Sequence, residues 1–314
     1  MEFILRPFHV PADYSTCVKF VNMISPEPYT AEDWLAEDAA GPTGMHIFRM
    51  VAVAPDGVVA GFAECMRFPT DKPGDYPILA LVDPNYRRQG LGAQLLAVLE
   101  EHALAQGAIT FSSTVRDAEP ESVAWAEKWG YAQYRHTFQS TLDLATFDPA
   151  PFAAVIPAVE TSGITFTTLA ERSDDSFLRA VAALMTKTHL DIPGNESSEQ
   201  SYEAWESWYI KHKDARMDGI IVALDGDRVA GVTALRQEGA EGNWYTNYTG
   251  VHRDYRGRQI ALALKLKSIA LAQAAGAKTM RTNNDSKNVP MLAVNRKLGY
   301  KPEPGYLRYR KTAK

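Results

Sequence analysis

Arg87-Arg88-Gln89-Gly90-Leu91-Gly92 is followed, 169 residues further along the chain, by Arg256-Gly257-Arg258-Gln259-Ile260-Ala261. The first stretch links a short apolar run ending in Val82 to a leucine-rich amphipathic run, and the second follows the matching stretch Asn247–Val251. A strand, a basic turn and then a helix leave consecutive backbone N–H groups at the helix start without intrahelical acceptors. Such groups bind anions with the help of the helix dipole. Gly90 and Gly92 let phosphate oxygens reach the main chain without meeting a Cβ, and the arginines add positive charge. The chemistry implied is diphosphate binding. The glycine-lysine loop of nucleoside triphosphatases and the Gly-x-Gly-x-x-Gly of dinucleotide folds are not what stands here.

The same offset recurs elsewhere. Val82 and Tyr86-Arg87 return as Val251 and Tyr255-Arg256, Asp56-Gly57 as Asp225-Gly226, Gly107-Ala108 as Gly276-Ala277, and Gly130-Tyr131 as Gly299-Tyr300. Val59-Ala60-Gly61 returns as Val229-Ala230-Gly231 one position later. A constant offset over separate features predicts two copies of one fold. Domain 1 is expected over 1–145 and domain 2 over 163–314. The proline-rich stretch 146–162 is expected as a linker, because Pro149, Pro151 and Pro157 oppose a regular helix or central strand.

Within the first copy, Ala31–Ala40 reads as a helix with Thr30 as N-cap. Phe48–Ala54 and Val58–Arg67 read as a hairpin around Pro55-Asp56-Gly57. Ile78–Val82 and Ile109–Val115 read as strands flanking the helix Leu91–Ala105, and Ser122–Trp129 as a helix stopped by Gly130. The second copy follows the same order, so each half is α/β with a mixed sheet.

Apolar residues make up 46% of the 314-residue chain and charged residues 23%, as in ordinary globular proteins. The net charge of −5, without a long run of one sign, argues against nucleic acid or an anionic membrane as partner. Cys17 and Cys65 form no disulfide framework, and no Cys/His cluster has metal spacing, so no metal is expected. The acidic N-terminus, the cysteine usage and the lack of an apolar run of about 18 residues point to the cytoplasm.

The loop resembles the Arg/Gln-x-x-Gly-x-Gly/Ala loop of the GNAT superfamily, which binds the pyrophosphate of acetyl-CoA. Trp125-Ala126-Glu127-Lys128-Trp129-Gly130-Tyr131 and Asn295-Arg296-Lys297-Leu298-Gly299-Tyr300 resemble the family's second signature, a helix ending beside the thioester. Asn283, Asn288 and Met291 resemble tandem members, such as mycothiol-synthase-like enzymes, in particular. The resemblance covers nearly all of both halves. It implies two GNAT-type domains, each with a mixed, centrally splayed sheet flanked by helices, and acetyl-CoA as acyl donor. It assigns cofactor contacts to Val82, Arg87, Arg88, Gln89, Gly90, Leu91 and Gly92 in the first copy. In the second it assigns them to Val251, Arg256, Gly257, Arg258, Gln259, Ile260, Ala261, Asn288 and Asn295.

The same resemblance implies an N-acyltransferase in which an amine attacks the thioester directly, with backbone N–H near Val82 or Val251 serving the oxyanion. The acceptor is a small-molecule or peptide amine. Glu64, on the same strand side as Ala60, Phe62 and Met66, is a candidate base, and His252 is its substitute in the second half. The family's usual tyrosine acid falls at Ala126 and Asn295, which leaves Tyr131, Tyr245 and Tyr300 as candidates. The alternative is that one or both halves act as a non-catalytic acyl-CoA sensor or scaffold. Gln259 stands where Gly90 stands in the first loop, so the first half is expected to hold CoA more tightly.

Overall fold

The computed structural model describes residues 2–25, 28–194, 201–212, 215–238 and 242–314. In chain order the elements begin with β1 (Ile4–Pro7), α1 (Tyr14–Asn22), α2 (Ala31–Ala40), β2 (His46–Val53), β3 (Val59–Arg67) and β4 (Asp75–Val82). Next come α3 (Leu91–Ala105), β5 (Thr110–Arg116), α4 (Pro120–Lys128), β6 (Ala132–Asp143), α5 (Val155–Thr161), β7 (Ile164–Thr168), α6 (Asp175–His189) and α7 (Tyr202–Tyr209). The chain continues through β8 (Ile220–Asp225), β9 (Arg228–Glu238), β10 (Asn243–Val251), α8 (Ile260–Ala274), β11 (Thr279–Asp285), α9 (Val289–Lys297), β12 (Lys301–Pro302) and β13 (Tyr306–Thr312).

Two compact units result, one of Met1–Tyr134 with Tyr306–Lys314, the other of Arg135–Gly305. In the first unit β1, β2, β3 and β4 pair antiparallel in sequence, β4 runs parallel to β5, and β13 closes the far side of β5 antiparallel. In the second, β7, β8, β9 and β10 pair antiparallel, β10 runs parallel to β11, and β6 closes β11 antiparallel. The strand order is the same in both units. Each unit is completed by the strand that sequence order gives to the other copy.

Both units splay at the centre. β4 and β5 are in register only from Asp75↔Thr110 to Pro77↔Ser112, although β4 runs on to Val82. β10 and β11 are in register only from Asn243↔Thr279 to Thr246↔Thr282. Pro77 is tolerated inside β4 because pairing with β3 begins at Ile78, so the missing N–H removes no ladder bond on that side.

Helices cover both faces of the first sheet. Leu91, Leu95, Leu96 and Leu99 of α3 bury against Ala63, Cys65, Ile78 and Phe111. Each fully buried leucine contributes about 2 kcal/mol. Gly61 permits the close approach, since a Cβ there would lie 2.9 Å from the Leu95 side chain. On the opposite face Cys17, Phe20 and Trp34 from α1 and α2 pack on Val51 and Phe62. Thr30 caps α2 in a reciprocal box with Asp33. Both cysteines are buried and unbridged, and burial pushes the Cys65 thiol up to about 11.

The stretch 146–162 is folded. Ala150–Phe152 is a 3-10 turn and α5 follows it, with Phe152, Val155 and Ile156 packed on the core beneath α8. The prolines fit because Pro151 lies in the first turn of the 3-10 segment and Pro157 is third in α5, where a backbone N–H has no intrahelical acceptor. The observed unit boundaries, at Tyr134 and Gly305, therefore differ from the expected ones.

Candidate active site

The two phosphate-type loops share one backbone trace. Left-handed residues occur at Arg88 (φ 64°) and Gly90 (φ 83°) in the first, and at Gly257 (φ 77°) and Gln259 (φ 60°) in the second. Each loop thus places glycine at one left-handed position and a side chain at the other, in opposite order. Gly90 and Gln259 are the N-caps of α3 and α8. Gln259 therefore keeps the geometry that Gly90 has, and its Cβ alters what can approach rather than where the chain runs. The first helical acceptors are Gly90 O, from Ala93 N (3.1 Å), and Gln259 O, from Ala263 N (3.0 Å). The preceding amides point out at the helix start, as anion binding requires.

Several of the repeated residues brace these loops. Arg87 Nε donates to Val82 O (3.3 Å) and Arg256 Nε to Val251 O (3.2 Å), clamping each strand end. Tyr86 OH donates to Asp56 (3.0 Å) and Tyr255 OH to Asp225 (2.8 Å), tying each loop to its hairpin turn. In the second unit Arg253 and Arg256 also both bind Asp191, whose carboxyl they hold below its ordinary range. Arg258 Nη2 donates to Ser162 O (3.3 Å). The charge of the second loop is therefore already engaged by groups of its own unit.

In the first unit the splay opens a cleft of about 820 Å³. One wall is Ile78–Val82, the other Ser113–Arg116; Arg87, Arg88, Gly90 and Gly92 stand at the loop end, and Trp125, Trp129 and Tyr131 close the α4 side. Tyr131 OH donates to Glu100 (2.8 Å), which Lys311 also binds (2.7 Å). Burial, then this bond to Glu100, pushes the phenol up. The lining suits an apolar arm with a polyanionic end: aromatic and aliphatic walls, with amides and arginines at one mouth.

A family model of the acetyltransferase (GNAT) family matches residues 14–131 and again 182–300, together more than half of the chain. The chain belongs to the GNAT acetyltransferase family. It is 24% identical to the mycothiol acetyltransferase of Geodermatophilus obscurus, over 87% of this chain and 84% of that protein. It is also 24% identical to the mycothiol acetyltransferase of Pseudarthrobacter chlorophenolicus, over 87% of this chain and 83% of that one. A GCN5-related N-acetyltransferase from Sphaerobacter thermophilus shares its fold with a TM-score of 0.69 at 21% identity, covering 99% of this chain and 96% of that one. A tandem GNAT protein from the clavulanic acid biosynthesis pathway does so with 0.64 at 22% identity, covering 100% and 99%. The two family matches and the full-length tandem neighbour agree with two GNAT domains in one chain.

The candidate proton-transfer groups of this GNAT chain lie in different settings. Glu64 is largely buried on the α1–α2 face, and Arg49 Nε donates to its Oε2 (2.6 Å). Burial raises the Glu64 pKa and Arg49 opposes the rise. Arg49 is also bound to Asp38, which accepts from Tyr14 OH (2.5 Å). Burial pushes Asp38 up, but the bonds from Arg49 and Tyr14 outweigh it and hold the carboxyl low. Ala60 does not share the Glu64 face: a bulge at Ala52/Val53 turns it toward the α3 core, while Phe62 stays with α1 and α2. His252 Nδ1 accepts from Asp254 N (3.3 Å), capping a 3-10 turn as Asp83 caps its counterpart through Asn85 N (3.1 Å). Asn288 likewise caps α9 through Met291 N (3.4 Å).

Asn295 and Tyr300 belong to a buried polar group in the second unit. Asn295 Nδ2 donates to Asn284 Oδ1 (2.7 Å), and Asn284 Nδ2 donates to Ser140 Oγ (2.9 Å). Lys265 Nζ lies 4.9 Å from the Tyr300 ring centre. Lys265 is hard to single out in the sequence because Leu262, Leu264 and Leu266 beside it read simply as a buried helix. A charged residue inside such an apolar run was the available signal. Among the described residues no group of three or more His, Cys, Asp or Glu side chains is placed to hold a metal, and no helix is long and apolar enough to cross a membrane.

Proposed function

We propose that this chain is an acetyl-CoA-dependent N-acetyltransferase in which an amine attacks the thioester directly and the first unit's cleft holds CoA. The cleft carries this reading: it runs from a helix start with free amides and two arginines to the split between β4 and β5. Beyond Pro77 the β5-facing edge of β4 is out of register with β5, while its other edge pairs with β3, and that open edge supplies main-chain partners for a pantetheine-like arm. When bound, acetyl-CoA supplies the activated acyl group. Strand-end N–H groups near Val82 polarise the carbonyl, and Gly90 and Gly92 admit the diphosphate.

The acceptor is an amine, cationic in water. Asp38, Arg49 and Glu64 together carry one more carboxylate than guanidinium, so this part of the first unit favours a cation. Glu64 is the base of this reading: Arg49 holds Oε2, burial raises the carboxyl pKa, and Oε1 is the atom that takes the proton.

The full-length protein, given acetyl-CoA and a panel of small amines, peptides with free N-termini and aminoglycoside-like polyamines, should release free CoA in an amine-dependent way. Tight CoA binding with no release from any amine would instead establish a sensor or scaffold. Glu64→Gln should lower kcat about a hundredfold with CoA affinity nearly unchanged. It should also remove the acid limb of the pH–rate profile, because the wild-type rate rises with pH as this carboxyl loses its proton. An unaltered profile eliminates Glu64.

A further inference from the structure

The 169-residue offset puts Lys265 and Tyr300 of the second unit where Leu96 and Tyr131 line the first unit's cleft. Lys265 is 1% exposed, and its Nζ has no hydrogen-bond partner among the described residues. The hydroxyls of Tyr300 and Thr246 and Oδ1 of Asn295 are likewise buried without hydrogen-bond geometry to any described group. Thr246 is the last β10 residue in register with β11, so it marks the point where the strands part. Its hydroxyl is near enough to Tyr300 to act against the effect of burial, which raises that phenol.

An amine left bare in an apolar core is costly, and such groups normally find a partner. Here polar atoms without hydrogen-bond geometry come together from β10, α8, α9 and the turn that follows α9. Burial alone pushes the amine down to about 7, with no charged neighbour contributing, and the titratable group facing it is Tyr300. At Asn295, the place of the family's usual tyrosine acid, there is a side chain that cannot give up a proton.

We propose that Lys265 is the proton donor to the departing CoA thiolate in the second unit. This deepens the acetyltransferase reading and extends it to the second splay. In the reaction the acceptor nitrogen bonds to the thioester carbonyl carbon and the C–S bond breaks with its electron pair on sulfur. The Lys265 ammonium passes one proton to that sulfur and becomes a neutral amine. The proton lost by the acylated nitrogen goes to water, and water reprotonates Lys265. An amine that carries or loses its charge at similar cost suits such a cycle.

The test needs no acceptor. In full-length protein with Gly92→Trp closing the first cleft, CoA itself is bound and its thiolate is followed by ultraviolet absorption against pH. The bound thiol should titrate about one pH unit or more below free CoA, and adding Lys265→Met should return it to the free value. Failure of CoA to bind the Gly92→Trp protein, or identical titrations with and without Lys265, overturns the proposal. With the best amine of the panel, Lys265→Met alone should lower kcat about a hundredfold with little change in KM for acetyl-CoA. If no amine releases CoA, the acetyltransferase reading fails while the thiol titration still decides the placement of Lys265.

A stability measurement guards against misfolding. Lys265 loses a proton on folding, so wild-type stability should rise with pH from about 7 to the ordinary lysine range near 10. Lys265→Met should melt higher than wild type at neutral pH, with the gap closing as pH rises. A lower melting temperature without pH dependence would mean that the amine is satisfied in the fold, and the proposal falls.

Discussion

The two units carry one loop geometry with opposite solutions. In the first, Gly90 occupies the left-handed N-cap and Arg88 bears the strain two residues earlier; in the second, Gly257 takes the earlier position and Gln259 bears the strain at the cap. The backbone path therefore does not depend on which position is glycine. What changes is the chemistry at the mouth. The first loop presents Arg88 above a bare cap, whereas the second presents a glutamine at the cap and arginines drawn to Asp191 and Ser162. Deeper in, Leu96 faces one cleft and Lys265 the corresponding place in the other unit. Duplication has kept the scaffold and let the contents of each splay diverge.

The strongest way to break this comparison is to close one splay at a time. Gly92 and Ala261 are equivalent positions in the first turns of α3 and α8, and a Cβ at Gly92 already reaches Trp125 at 3.4 Å. Gly92→Trp should weaken the tighter CoA site by about a hundredfold, which is about 2.8 kcal/mol. Ala261→Trp should leave that site intact. Calorimetry on both variants decides, and the reverse pattern would make the second unit the tighter one. Ile260 is unsuitable for this purpose, because its side chain is part of the core beneath α8.

A smaller effect sharpens the mirrored strain. Arg88→Gly and Gln259→Gly should each relieve a left-handed side chain and stabilise the fold by about 1 kcal/mol, read from denaturant midpoints. Arg88→Gly should also weaken CoA binding through the lost charge, while Gln259→Gly should strengthen it at the second loop. Destabilisation by both would show that the side chains contribute more than the backbone costs.

The smallest effect concerns the braces. Tyr86→Phe and Tyr255→Phe each remove one hydrogen bond to a hairpin aspartate and should cost about 1 kcal/mol or less. Equal losses are expected from two equivalent braces. A much larger loss at one would show that its loop depends more on the hairpin.

The repeat was legible because its landmarks each do a local job. Asp56 and Asp225 hold the loop tyrosines, Gly61 and Gly231 let a helix close on the sheet, and Gly107, Gly130, Gly276 and Gly299 end helices with positive φ. Features that depend on position in space were not legible. Pro157 reads as a helix breaker until the third position of α5 is known. The bulge that turns Ala60 away from Glu64 leaves no mark in the residue alternation. Glu64 reads as an isolated carboxylate because Arg49, which binds it, lies across the ladder on β2. The exchange of β6 and β13 is invisible for a deeper reason: two copies with the same pattern offer either strand to either sheet, and local sequence does not choose.

That exchange sets an order of assembly. The second unit is a continuous run, Arg135–Gly305, and holds every strand of its sheet before β13 has been synthesised. The first unit begins first and finishes last, since β5 keeps an open edge until Tyr306–Thr312 arrives to pair with Thr110–Arg116. An unpaired edge invites pairing with another chain. During translation the vulnerable part of this protein is therefore its N-terminal unit, which must wait for the whole of the second unit to pass the ribosome before its sheet can close.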